Sequence, residues 1–246
     1  IRDQPRSRGL GDVYKRQFLG LVNVIWGGLC ALAQTDLKKL VAYSSINHMG
    51  YSLLGMAAVV AAGAMNGGDL KAAQAGLSGA VFQMFNHGTI SAMLFILVGV
   101  VYERAHHRDI DGFGGLASQM PVYTGITSLA FFAGLGLPGF SGFVSEAMCF
   151  IGAFPVFRTI VILSTIGILL NAAYFLWAFQ RVFFGKLNEK YKDMEEINGL
   201  ELFTVIPLAV ITLFFGIYPG PYLDLIKATM DQIIEKVAFV ATYAAM

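Results

Sequence analysis

Long apolar runs separated by short polar intervals make up most of the chain. They cover Phe18 to Gln34, Val41 to Ala64, Leu77 to Tyr102, Val122 to Phe154, Thr159 to Phe184 and Leu202 to Tyr218. Crossing a bilayer as an α-helix takes roughly 17–25 apolar residues. Val, Ile and Phe are frequent in these runs, but the runs are too long for strands and lack their strict alternation. The pattern predicts an all-α, polytopic transmembrane helix bundle with about six crossings. Its fourth run is interrupted by Gly134, Gly136, Pro138, Gly139 and Gly142, which predicts a helix broken near mid-membrane. After Pro219, apolar residues from Tyr222 to Val237 recur at helical spacing, with Asp224, Lys227, Asp231 and Lys236 between them. Residues 220–246 therefore read as an amphipathic tail helix lying on the membrane or on a neighbouring subunit.

Composition supports the membrane reading. Hydrophobic residues reach 56% and charged residues only 13%, where soluble domains carry roughly 25% charge; mean hydropathy is +0.64. Loop charge predicts orientation. One side receives Lys38, Lys39, Arg104, Arg108, Arg181, Lys186, Lys190 and Lys192, and the other Lys71, Arg158, Lys227 and Lys236. The positive-inside rule places the first side in the cytoplasm and the carboxyl terminus outside. Residues 1–17 break this order, because Arg2, Arg6, Arg8, Lys15 and Arg16 would face outward. Their composition changes abruptly at Phe18, which suggests a foreign segment, with a native basic arm as the alternative. The transmembrane domain proper would then be residues 18–219. Met65 to Ala75 reads as a Gly-rich loop. Cys30 and Cys149 fall inside spans as packing residues, and His106 with His107 lacks a third ligand, so no metal site is expected.

Several polar residues lie where packing alone does not require them. Glu146 sits just beyond the predicted break, and a charge at membrane depth costs at least about 2.5 kcal/mol, so it is expected to be functional and to face a cavity or a partner. The alternative is an acid at a helix end that reaches interfacial water. Ser44, His48 and Ser52 share one helical face, and Gln83, His87 and Ser91 share another, next to Asn86. Each face sets an imidazole between hydrogen-bonding groups, and histidine exchanges protons near neutrality. Proton relay and hydrogen-bonded glue between helices are both open to such residues. Lys38 follows Asp36 at a span end, where anchoring is the simpler role. Pro138 removes a backbone donor, so carbonyls near Leu135 are expected to be free for water. No GxGxxG follows a predicted strand and no Cys cluster is present, so nothing points to dinucleotide or iron–sulfur binding.

Three segments then carry a resemblance. ALAQTDLKKLVAYSSINHMGYSLLGMA (Ala31 to Ala57), FQMFNHGTISAMLFILVGVVYERAHHRDIDGFGGL (Phe82 to Leu116) and LGLPGFSGFVSEAMCFIGAF (Leu135 to Phe154) resemble the antiporter-like membrane subunits of respiratory NADH dehydrogenase, complex I. With VFFGK at Val182 to Lys186, the likeness runs from about Phe18 to the tail and favours the M-type branch, which includes mitochondrial chain 4. The resemblance implies a fourteen-helix antiporter-like fold of which this chain is the carboxyl-terminal part, helices nine to fourteen. It matches Glu146 to the terminal acid of a broken helix, and His48 and His87 to a central hydrophilic axis, as proton-transfer groups. Ser44, Ser52, Gln83, Ser91, Lys38 and Pro138 would support them. It implies a proton-translocating subunit in a bacterial inner membrane, with sister membrane subunits and the lipid bilayer as partners and no nucleic acid. No cofactor is expected in this chain: NADH, FMN, iron–sulfur clusters and quinone belong to other subunits. The family's acid and lysines on earlier helices have no counterpart here. Alternatives are a multisubunit Na⁺/H⁺ (Mrp-type) antiporter, a membrane hydrogenase arm and a structural scaffold.

Overall fold

The computed structural model describes residues 5–64 and 69–243. Its helices are α1 (Pro5–Leu32), α2 (Leu37–Ala64), α3 (Leu70–Ala105), the single turn α4 (Leu116–Gln119), α5 (Pro121–Leu135), α6 (Ser141–Phe183), α7 (Gly199–Ile217) and α8 (Gly220–Tyr243). By length and apolarity α3, α6 and α7 can each cross a membrane, and α5 is a shorter apolar helix. The chain is thus an all-α bundle of apolar helices. Residues 5–17, expected to be foreign, continue α1 without a break. The Gln17 amide is buried and donates to Leu54 O at 3.2 Å.

α6 contains a reversal. Pro155 lies inside it and leaves a carbonyl one turn earlier without its donor; two residues on, Phe157 departs from helical geometry at φ −130°, ψ 48°. Ala153 and Val161 pack together on Ala58, whereas Asn171 reaches back to Gly134 and Phe183 to Tyr123. The arm before Phe157 therefore continues the course of α5, and the arm after it returns alongside. These are the fourth and fifth apolar runs of the sequence.

Two expectations change. Met65 to Gly68 lie outside the described residues, but the rest of the expected loop is helix. Asp69 Oδ1 accepts from Ala72 N at 2.9 Å and starts α3 there, so Lys71 and Gln74 lie in the first two turns of a helix rather than in a loop. The tail also differs. Tyr222 stacks on Phe82 at 4.8 Å between ring centroids, and Met230 packs with Val59, Ala62, Ala73 and Leu77. The face of α8 that the sequence offered to a membrane or a neighbour lies along α2 and α3 of the same chain.

Helices touch backbone to backbone where glycines meet. A Cβ on Gly152 would come within 2.2 Å of Gly76 Cα, and one on Gly55 within 2.5 Å of Gly76 O, so only glycine permits this crossing. At the opposite end, basic residues gather as loop charge predicts. A short antiparallel bridge joins Asp36 and Asp109, Arg108 Nε lies 3.3 Å from Asp36 Oδ2, and Arg181 pairs with Asp111.

Candidate functional site

The site forms where α5 stops. Gly136 adopts φ +76°, a left-handed conformation that glycine tolerates without cost. Its amide bonds to Ala133 O at 3.2 Å and that of Leu137 to Phe132 O at 3.2 Å, the paired closure of a glycine-terminated helix. Residues 136–140 are non-helical, and α6 begins at Ser141. The break therefore falls where the glycines and Pro138 predicted it. The freed carbonyls do not fall as expected: those of Phe132 and Ala133 accept from the backbone, and Gly134 O accepts from Asn171 Nδ2 at 2.9 Å. Left-handed Gly136 turns its own and the next amide back onto the helix end, and a buried amide from the returning arm covers a third carbonyl. Protein donors, rather than water, satisfy them.

Glu146, in the second turn of α6, is 6% exposed. Its Oε1 lies 3.1 Å from His48 Nδ1 and 3.5 Å from Gln83 Nε2, so α2 and α3 both converge on it. Its Oε2 lies over Gly136, 3.0 Å from where a Cβ would stand. Gln83 Oε1 accepts from Ser145 Oγ in a short hydrogen bond. His48 and His87 have ring centroids 5.6 Å apart. Ser91 Oγ is within 3.1 and 3.2 Å of the two His87 ring nitrogens. A cavity of about 10 Å³ lies among Ser44, His48, Gln83, His87, Ser91 and Glu146, close to the least volume that holds one water. The two helical faces read from the sequence thus meet at the acid.

Three supporting residues lie elsewhere. Ser52 is buried one turn beyond His48, away from the cavity, with its hydroxyl unpartnered. Lys38 is exposed in the first turn of α2, about 15 Å along the helix from His48 at 1.5 Å per residue. Pro138 is exposed in the connection and stops the helix without lining the cavity. Ser44 lines it, although its hydroxyl donates to Val41 O at 2.7 Å. Two further groups complete the site: Asn86, noted in the sequence only as a neighbour of the Gln83–His87 face, and Asn171, which the sequence did not single out. Asn86 Nδ2 donates to Ser141 O at 2.9 Å and Ser145 Oγ at 3.0 Å, tying α3 to the start of α6. Asn171 caps α5 from the returning arm. Their signal was that of polar side chains inside otherwise apolar runs, which in a membrane are costly unless paired.

Glu146 and His48 stand at hydrogen-bond distance, so one proton can lie between them. Either a neutral pair or an imidazolium–carboxylate pair fits the contact, and passage between them moves a proton without moving a heavy atom. Among the described residues, no three His, Cys, Asp or Glu side chains gather as metal ligands.

A bundle of apolar helices with a broken helix and a buried acid–imidazole line has the construction of membrane proteins that move ions. Residues 15–171 match the family described as NADH:quinone oxidoreductase/Mrp antiporter, TM, and the chain belongs to that family. Similar relatives include NADH-quinone oxidoreductase subunit M of Rhodobacter capsulatus, 41% identical over 88% of this chain and 40% of its own length. F(420)H(2) dehydrogenase subunit M of Methanosarcina mazei is 38% identical over 89% and 42%. Among solved structures, respiratory complex I from Thermus thermophilus with bound NADH contains a chain that superposes with a TM-score of 0.81 at 26% identity, covering 94% of this chain and 46% of that one. The Mrp complex from a Dietzia species gives 0.76 at 18% identity, covering 97% and 50%, a likeness of fold alone. The chain spans about 40% of the length of the curated relatives it matches.

Proposed function

We propose that the protein to which these residues belong is the proton-translocating membrane subunit of an NADH-quinone oxidoreductase. It pumps protons on energy released by electron transfer in other subunits, where NADH, FMN, iron–sulfur clusters and quinone are handled. The carrying observation is the 3.1 Å contact of Glu146 with His48 at the broken helix. Glu146 holds and releases the proton, His48 Nδ1 exchanges with it, and His87 passes it onward through the cavity. Gln83 and Ser91 orient the acid and the second imidazole. Lys38 anchors the basic end of α2, and Pro138 ends α5 so that Glu146 can face inward. The relatives' names support the redox partner, and the basic loops support a multi-pass arrangement in a bacterial inner membrane with the carboxyl terminus outside.

A Na⁺/H⁺ antiporter subunit is the second reading, favoured by the family's own description and by the Mrp fold likeness. The deciding experiment replaces Glu146 with Gln in the full-length chain within its complex. Retained NADH oxidation with abolished proton uptake into membrane vesicles supports the first reading. Loss of Na⁺-driven proton exchange, in a host where the chain assembles without a dehydrogenase, supports the second.

A further inference from the structure

Glu196 stands outside the buried axis yet holds one of the helices that form it. α5 begins at Pro121, and Met120 before it supplies no side-chain cap. The amides of Val122 and Tyr123 donate instead to Glu196 Oε2 and Oε1 at 2.8 and 3.0 Å. Ile197 N adds a third bond to Oε1 at 2.9 Å. A carboxylate placed there satisfies orphan amides and faces the positive end of the helix dipole.

Glu196 is itself fixed by Arg104, in the last turn of α3. Arg104 Nη2 donates to Glu196 O at 3.0 Å and Nε to Glu195 O at 2.9 Å. The guanidinium also forks onto Glu201 Oε1 and Oε2, at the start of α7, at 2.9 and 2.8 Å, and Nη1 reaches Val100 O at 3.0 Å. All five guanidinium N–H groups have acceptors, which a lysine with three donors could not reproduce. The hub joins one end of α3 to one end of α5. Farther along the same helices, Gln83 and His87 on α3 and Gly134 and Gly136 on α5 surround Glu146. α5 is about 22 Å long, an unbroken helix from the Glu196 cap to the glycines at the acid.

We propose that Glu196 is a positioning residue for proton transfer at Glu146: by capping α5 from the Arg104 hub, it sets where Gly134 and Gly136 stand against the acid. This rests on the reading of Glu146 as the proton-transfer group. A displacement of a fraction of an ångström at Gly136 would move the carboxylate off His48, and transfer is sensitive to such offsets.

The test uses the full-length chain within its complex, in membrane vesicles, with protons translocated per NADH oxidised as the readout. Glu196→Gln keeps the volume and one acceptor oxygen. We expect wild-type complex content and NADH oxidation, but a proton yield lowered by at least about twofold. Glu196→Asp should restore most of the yield. Glu195→Ala, which leaves its main-chain carbonyl on Arg104, should behave as wild type. Amide hydrogen exchange should rise in Glu196→Gln at residues 121–126 and again at 134–142. A wild-type proton yield in Glu196→Gln overturns the proposal even if exchange at residues 121–126 rises. Loss of the complex from the membrane in that variant also overturns it, by making Glu196 merely structural. Glu146→Gln run in parallel separates the two levels. If it abolishes pumping while Glu196→Gln pumps normally, only the positioning role falls; if it pumps normally, the proton-transfer reading falls and this inference with it.

Discussion

Gly136 lies directly beneath the Glu146 carboxylate: a Cβ there would stand 3.0 Å from Oε2. The same residue holds the left-handed backbone that ends α5. Gly136→Ala therefore combines a backbone penalty of about 1–2 kcal/mol with a push on the acid away from α5. The expected outcome is an assembled complex of lowered thermal stability and impaired pumping. Gly139→Ala separates the two effects, since Gly139 is also left-handed, at φ +101°, but would meet nothing within 4 Å. It should lose stability and keep pumping. Melting and proton-uptake assays on the two variants check this.

Glu146→Gln keeps the shape of the side chain and removes its carboxyl group. It is expected to abolish proton translocation while the complex assembles, because the amide can still bond His48 and Gln83. Glu146→Asp retracts the carboxylate by one methylene from His48 and should keep part of the activity. Proton yield per NADH in vesicles of matched complex content is the measurement.

His48→Ala and His87→Ala should each lower coupled turnover, and the double variant should lose less than the sum. Residues on one path show coupling energies of about 0.5–3 kcal/mol. If the imidazoles served only to bind helices together, Asn or Gln in their place would restore function, and the losses would appear in assembly. Turnover and complex content measured across the four-member cycle distinguish the outcomes.

At the basic end, His107 pins one loop to another. Its Nδ1 accepts from Asp109 N at 3.1 Å, its Nε2 bonds the Tyr191 hydroxyl, and its ring stacks on Phe113 at 4.5 Å. Burial, then the nearby Lys190, lower its pKa below the ordinary value, with Asp109 opposing. Because the docked loop prefers neutral imidazole, its stability is full above the unfolded histidine pKa of about 6.5 and falls as pH drops through that value. Amide protection across residues 106–115, measured relative to the intrinsic exchange rate at each pH, should therefore be weaker at low pH than at high pH. His107→Phe, which keeps the stack and cannot titrate, should flatten that dependence.

Much of this was legible in the chain. Apolar run lengths gave the helices, the Gly and Pro cluster located the break to within a residue or two, and four-residue spacing put His48 and His87 on the faces that meet Glu146. What stayed hidden depends on contacts between distant segments. That Gly134 O is capped by Asn171, 37 residues on, cannot be read from local spacing, so its carbonyl was assigned to water. The tail's apolar face was visible but not its occupant, because α2 and α3 present an equally apolar groove to it. Lys38, named among the supporting residues, stands at the surface, as the simpler reading of an anchor at a span end has it, because a helix rise of 1.5 Å per residue separates it from His48.

The glycine crossing at Gly76 and Gly152 bears on the direction of traffic. It lies about 9 Å past Glu146 along α6, at 1.5 Å per residue, and backbone there touches backbone with no space for a file of water. The cavity beside the acid lies on the side of the imidazoles, and this close crossing lies on the other. On the relay proposed above, a proton on Glu146 finds its next partners among the imidazoles and not between these two helices for as long as they stay in contact. The tightest joint between these helices is thus built from the absence of side chains.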